Sequence, residues 1–500
     1  MESNRTSPTY PTSAPDAAEG LAALERRLAQ DLQYLGWPAK RWMASRTEGD
    51  QAVLDVVVIG GGQAGLAAAV GLAQQGIDAV VVDRAPAGYE GPWATTARME
   101  TLRSPKELTG PAMGLPALTF RAWFEAQFGV QAWAALDKIP RLQWMDYLRW
   151  YRRVMAVDVR NDTRVTAIVP RPDHLVRLDI RTPAGDASVL VRRVVLATGR
   201  DGLGGAAVPA FVRGLPRGER WAHSSDAMDY SKLAGKRVAV VGAGSSSMDS
   251  AATALEMGAA SVDLLIRRDD LPRVNKGKGA GSPGLVQGHY DLPDENKWRI
   301  RAYINKVNVP PPRGSTLRVS AFPNVRFNFG CAILGVAEQG GQLLIDTPKG
   351  GFEADFLIVA TGFRIDWFSR PEFAAIAPHV RAWSQRFRPA PGQEDQELDD
   401  SPDLGPAFEL REKTAGECPG IDRIHCFCYP AALSHGTVSG DIPAISEGAR
   451  RLAGGIAGLF YREDFEQQFA QVLAYDEPEL FGDEWVPAST DHILPPLTIS

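Results

Sequence analysis

The chain has 500 residues, of which 44% are hydrophobic and 23% charged, with a net charge of −6. At about 100–200 residues per domain this length holds more than one domain, and the composition is too apolar for disorder. A negative balance gives no electrostatic reason to bind nucleic acid, and no apolar run reaches the roughly 18 residues that span a bilayer. Four cysteines cannot build a disulfide framework, so a cytoplasmic setting is expected, with no membrane and no nucleic-acid partner.

Residues 1–18 are polar and Pro-rich and read as a disordered lead, and 21–36 as an amphipathic helix closed by Gly36 and Pro38. AVLDVVVIGGGQAG (52–65) then runs from a β-branched strand through Gly60, Gly62 and Gly65 into an Ala-rich helix. In G-x-G-x-x-G the first glycine permits the tight turn, the second admits a pyrophosphate against the backbone, and the third allows close helix–strand packing. Gln63 and Ala64 open the helix, where unpaired amides and the helix dipole favour a phosphate. Asp83, followed by Arg84, ends the next strand (78–84), about 20 residues on, where a carboxylate accepts ribose hydroxyls. The acid favours an unphosphorylated ribose, and the N-terminal position, with a second nucleotide fold downstream, argues for FAD.

Further along, WMDYLRWYRRVM (144–155) reads as a helix and RRVVLATGR (192–200) as a strand buried on both faces. KRVAVVGAGSSS (236–247) repeats the first design with Gly242 and Gly244, Ser245 and Ser246 at the helix start, and Ser247 in place of the third glycine. Its second strand (261–268) ends in Arg267-Arg268 where the first ended in Asp83. Guanidinium groups in that place offer a bidentate clamp for a 2′-phosphate, which reads as NADPH. A Pro/Gly-rich insertion covers roughly 272–325, and its basic KWRIRAYINKV run suits a polar substrate or a domain-interface element. ADFLIVATGFR (354–364) is a second buried strand, ending in Thr361 and Gly362, and 389–420 reads as an exposed polar loop or lid. HCFCYPA (425–431) reads as a buried strand; no Cys-x-x-Cys and no metal cluster is visible.

The expected fold class is therefore α/β with two Rossmann-like dinucleotide-binding domains. After the lead and first helix to residue 50, a FAD domain over 51–205 is interrupted by an NADPH domain over 206–370 and completed over 371–500.

At this point the motifs resemble those of the class B flavin monooxygenases. FVRGLPRGERWAHSSDAMDYSKLAGKRVAVVGAG (211–244) is similar to their F-x-G-x3-H fingerprint, with His223, Ser224 and Tyr230 in place. GAGSSSMD resembles their G-x-G-x-S-x-x-D, giving Ser246 and Asp249, and Asp355 through Phe363 resembles D-x3-hydrophobic-A-T-G-aromatic. GPW (91–93) takes the place of a Gly-Gly-x-Trp element and implies that Trp93 packs on the flavin. SHGTVSGDIPAIS (434–446) resembles a flavin-contacting segment, with Asp441 as a contact. LRSPKE (102–107) resembles the segment that brings an asparagine to the reactive edge; here Arg103 and Ser104 stand there.

The resemblance implies that NADPH reduces FAD, that dioxygen then gives a flavin (hydro)peroxide, and that a small nucleophile is oxygenated. N-hydroxylation of an amine or amino acid, or S-oxygenation, is the expectation. Arg103, Ser104 and His223 are the catalytic candidates, His223 being equally readable as a hinge residue. Baeyer–Villiger oxidation of a ketone stays open, as does an NADPH-dependent flavin reductase or electron-transfer protein. The expected partners are a small-molecule substrate and dioxygen, with a homodimer left open.

Overall fold

A computed structural model describes residues 16–494, so the lead expected over 1–18 lies, as far as residue 15, outside the described residues. The first expected helix forms as α1 (Ala17–Tyr34). A first sheet is built from β1 (Gln51–Ile59), β2 (Ala79–Val82), β3 (Val159–Arg160), β4 (Arg164–Pro170), β5 (Val176–Thr182) and β6 (Gly185–Leu196). Their order is β3-β2-β1-β6-β5-β4, parallel from β3 to β6 and antiparallel beyond. Val56, Val57 and Val58 of β1 are buried in succession, as a strand covered on both faces requires. Between β1 and β2 runs α2 (Gln63–Gln74), whose run of Ala, Gly and Leu is buried from Ala64 to Leu72. The expected basic–aromatic helix forms as α3 (Arg141–Val154).

A second sheet has five parallel strands: β7 (Trp221–His223), β8 (Arg237–Val241), β9 (Ser261–Ile266), β10 (Val325–Phe329) and β11 (Phe356–Val359). Their order is β10-β9-β8-β11-β7. Helix α4 (Ser245–Glu256) packs Met248, Ala251 and Leu255 onto Val238, Val240 and Leu264 of this sheet. The chain afterwards returns to the first sheet, where β12 (Ile424–Cys426) lies parallel to β6. One nucleotide fold thus interrupts the other, and the HCFCYPA run begins as the buried strand expected of it. The two passages of chain between the sheets pair with each other, Gly204–Ala206 against Phe363–Ile365. Thr361 Oγ1 and the amide of Ala207 reinforce that link, donating to Ala207 O at 2.5 Å and to Gly362 O at 2.9 Å.

Two stretches differ from expectation. The Pro/Gly-rich insertion is largely helical and includes α5 (Asp294–Val307) and α6 (Arg313–Ser320), each with a proline just before its first turn. The stretch 389–420 is not an exposed loop throughout: Asp403, Leu404, Phe408 and Leu410 are fully buried. Arg386 donates to Asp403 Oδ1 at 2.6 Å, and Arg381 lies 3.5 Å from Oδ2. An acid that looks solvated in the sequence is held inside by arginines from elsewhere in the chain.

Helix α7 (Ile445–Glu463) follows the Asp441 segment. From Gly458 on, the described residues form a separate compact unit, in which α8 (Phe465–Ala474) is the main helix.

Candidate active site

The two Gly-rich turns are built alike. Gly60 has φ +111°, and a Cβ there would lie 2.5 Å from Ala197 O; Gly242 has φ +129°, and its Cβ would lie 2.6 Å from Ala360 O. Each first glycine therefore packs against the Ala-Thr-Gly run that ends a neighbouring strand, and no side chain fits. A Cβ on Gly65 would come within 1.8 Å of Gly60 O. Ser247 stands in the corresponding place of the second turn, and its Oγ donates to Gly244 O at 2.7 Å.

The middle glycines are different. A Cβ on Gly62 would meet no protein atom closer than 3.8 Å, and one on Gly244 none within 4 Å. Both have extended backbone, with φ −72° and −92°, which any residue adopts. The protein's own packing does not demand glycine at either position. Open space in front of the amides that begin α2 and α4 fits a pyrophosphate lying on the backbone, so both turns suit a dinucleotide. Beside Gly61 and Gly62 a cleft of about 840 Å³ opens, walled by Tyr89, Glu90, Arg149 and Arg152.

At the tip of the first sheet Asp83 Oδ2 accepts from the Gly61 amide at 2.6 Å and Oδ1 from the Ala85 amide at 2.7 Å. The carboxylate is thereby fixed at the turn, with lone pairs left for hydroxyl donors; Arg84 is exposed. In the second sheet Arg267 is exposed with no partner among the described residues, and Arg268 Nη2 reaches only Lys306 O at 3.5 Å. Gln63 Oε1 accepts from Trp144 Nε1 at 3.3 Å, tying the start of α2 to α3. Trp93 is half-buried, and its carbonyl accepts from Arg141. Ser245 is half-buried and Ser246 exposed at the start of α4.

A cluster of charged side chains joins the two halves of the fold. Arg103 is exposed, yet partial desolvation of its guanidinium and then Arg200 hold its pKa below the usual arginine range, against Asp249 and Asp441. Asp249 comes from α4, behind the second turn, and Asp441 from the segment before α7, so Arg103 faces groups from both halves of the fold. Asp441 is likewise exposed, and the partial desolvation of its carboxyl raises its pKa against the pull of Arg301, Arg200 and Arg103. Arg200 lies over the Tyr429 ring at 3.9 Å, a cation–π contact that fixes its place. Ser104 is half-buried next to Arg103. Ser446 Oγ donates to Gly110 O at 2.6 Å and accepts from the Met113 amide at 3.0 Å, pinning the start of α7 to the first domain's loop.

His223 sits elsewhere. It is buried on β7, its Nδ1 is 2.7 Å from Ser225 Oγ, and its ring meets Phe363 edge-on at 5.7 Å. That is the two-stranded link between the sheets, so the structure groups His223 with Thr361 and Gly362 and not with Arg103. Burial lowers its pKa and keeps the ring neutral. His435, stacked on Phe408 at 3.7 Å with Nε2 3.0 Å from Gly405 O, is likewise held down by burial, to about 3.

Sequence reading passed over Arg200, Lys297, Arg301 and Arg318. Arg318, on α6, donates to Arg98 O at 2.8 Å and to Glu256 Oε1 at 2.7 Å, and lies 3.8 Å from Asp249. It joins the second sheet's helix to the first domain's loop. The only available signal for Lys297 and Arg301 was their spacing of four in the basic run of the insertion.

The family model for pyridine nucleotide-disulphide oxidoreductases matches residues 54–278, which include both Gly-rich turns. In fold the chain is similar to the ornithine hydroxylase of Pseudomonas aeruginosa, at 15% identity and a TM-score of 0.62, over 81% of this chain and 99% of that one. It is similar too to the ornithine N-hydroxylase of Kutzneria sp. 744, solved with reduced FAD, NADP+ and L-ornithine, at 19% identity and a TM-score of 0.61 over 81% and 99%. A FAD-dependent urate hydroxylase of Xanthomonas campestris pv. campestris is 38% identical over 466 residues, 93% of this chain and 98% of that protein. That full-length identity, on this two-sheet fold, shows that the chain belongs to the FAD-dependent hydroxylases of the class B flavin monooxygenase type.

Proposed function

We propose that this flavin monooxygenase oxygenates a small, electron-rich heterocyclic anion of the urate type. The observation that carries the reading is that three guanidinium groups, Arg103, Arg200 and Arg301, act together on Asp441, with Asp249 and Glu397 the further acids that act on Arg103 and Arg200. A protonated amine would have to bind there against three guanidinium groups, whereas an anion is attracted by them. The full-length similarity to a urate hydroxylase supports the same choice.

In this reading Gly60, Gly62, Gly65 and Asp83 hold the adenosine diphosphate end of FAD. Gly242, Gly244, Ser245 and Ser246 receive the NADPH pyrophosphate, and Arg267 and Arg268 its 2′-phosphate. When bound, the flavin passes two electrons from NADPH to dioxygen, so that substrate R–H, O2, NADPH and a proton give R–OH, water and NADP+. Arg103 holds positive charge at the junction of the two halves, oriented by Asp249 and Asp441. Trp144, fully buried behind Gln63, helps keep water from that junction. His223 and Thr361 belong to the link on which one half turns against the other.

The test is turnover by FAD-loaded enzyme with NADPH, comparing urate with ornithine, lysine and cadaverine, while product mass and hydrogen peroxide are followed together. Urate should stimulate NADPH oxidation with little peroxide release and a product heavier by one oxygen atom. Coupled turnover of an amine with none of urate would refute the reading.

A further inference from the structure

Helix α5 of the insertion carries two cations in a setting where cations are rarely left alone. Lys297 and Arg301 lie four residues apart, on one face of the helix, and are only 4% and 8% exposed. Buried charges are normally paired, because desolvation disfavours an uncompensated ion. Among the described residues neither is in ion-pair reach of an acid. Of the acids that act on Lys297 at longer range, Asp294 and Asp403 are bound by Arg386, at 2.8 Å and 2.6 Å, and Asp291 is the third; Arg301 acts at longer range on Asp441. Lys297 Nζ lies instead over the rings of Tyr290, at 5.1 Å, and Trp383, at 6.0 Å. Arg301 Nε has no hydrogen-bond partner.

A third group shares the place. His289 is 2% exposed, and its Nε2 lies 3.0 Å from Leu433 O, which assigns the proton to Nε2 and leaves Nδ1 a bare acceptor. No donor reaches that Nδ1. Burial, with Lys297 and Arg301 among the charges acting on it, holds the ring neutral with a pKa of about 4. Arg301 is also the leading charge on Asp441, so the group adjoins the cluster that holds Arg103 and Arg200.

We propose that Lys297 and Arg301 are the anion-recognition subsite for the substrate, with His289 Nδ1 accepting one of its N–H groups. Two fixed cations and a neutral acceptor select a small planar anion that also carries N–H donors. They reject an aliphatic ammonium, which offers donors but the wrong charge, and a fully N-alkylated heterocycle, which offers neither charge nor donors. The subsite rests on the urate-type reading above and sharpens it.

Equilibrium dialysis of urate against oxidised, FAD-loaded enzyme, together with KM and kcat, tests the subsite in wild type, Lys297→Met and Arg301→Met. Loss of one charge-assisted contact should raise both Kd and KM by about tenfold to a hundredfold and move kcat much less. Arg301→Lys should recover part of the loss. Wild type should bind tetramethylurate, which is neutral and has no N–H, at least about tenfold more weakly than urate; this comparison stands even if a methionine variant fails to fold. Unchanged Kd in both variants, or equal binding of urate and tetramethylurate, overturns the subsite while urate turnover keeps the function. Urate that binds through Lys297 and Arg301 but is never oxygenated upholds the subsite and removes the urate-type reading. No binding of urate at all removes both.

Discussion

Gly62→Ala and Gly65→Ala are the same chemical change on one turn of α2, and they should fail in opposite ways. At Gly62 the backbone is extended, φ −72° and ψ −173°, and a Cβ finds no protein atom nearer than 3.8 Å. The apo chain should tolerate alanine there, and gain about 0.4–1 kcal/mol from a less flexible unfolded state. The added methyl group instead occupies the space in which a pyrophosphate would meet the helix amides. Losing one charge-assisted hydrogen bond costs about 1.5–3 kcal/mol, which weakens FAD binding about tenfold to more than a hundredfold. At Gly65 the Cβ would stand 1.8 Å from Gly60 O, a distance no rotamer relieves, so α2 must lift off β1. Overpacking of that kind costs about 1–3 kcal/mol or more of folding stability. Thermal unfolding of the apo proteins and titration with FAD, followed by flavin fluorescence, separate the two. Wild-type FAD affinity in Gly62→Ala, or an apo Gly62→Ala protein melting as low as Gly65→Ala, would refute the assignment of that open space to the cofactor.

The remaining expectations concern coenzyme choice and pH. Replacing Arg267 and Arg268 with methionine should raise the KM for NADPH by about tenfold or more and leave that for NADH nearly unchanged; equal losses for both coenzymes would remove the 2′-phosphate role. His289, His425 and His435 are held by burial at about 4, 3 and 3, below the ordinary 6.5. The unfolded chain therefore takes up protons first as the pH falls below 6.5, and stability complete above that value is lost down to about pH 4 for His289 and about pH 3 for His425 and His435, by at most about 1.4 kcal/mol per pH unit for each ring. His435→Phe, which keeps the stack on Phe408, should flatten the fall of the unfolding midpoint with acid; an unchanged slope would show that His435 is not one of the groups responsible.

What could be read in the sequence is what neighbours along the chain decide. The turn at Gly60, the acid at Asp83 and its exchange for Arg267 all follow from strand, turn and helix within one unit, and the structure places them where local rules do. Asp403, Arg318, Lys297 and Arg301 escaped because their meaning depends on tertiary surroundings that local sequence rules do not report. Asp403 looks like a solvated acid until Arg386 is brought beside it. Arg318 looks like a surface cation until its contact with Arg98 O, 220 residues away, makes it a bridge between the two halves.

Net charge is equally silent about a small ligand. A total of −6 says nothing against an anionic ligand, because every carboxylate and every guanidinium group counts equally in that sum wherever it lies. What a ligand meets is the local field, and low-dielectric surroundings strengthen it. In the charged cluster that field comes from Arg103, Arg200 and Arg301, with Asp441, Asp249 and Glu397 opposing them, and Lys297 adds to it from within the insertion. Of the two readings the sequence left open for the insertion's basic run, a polar substrate or a domain interface, the proposed subsite at Lys297 and Arg301 takes the first, and the dialysis of urate against the Lys297→Met and Arg301→Met variants decides it.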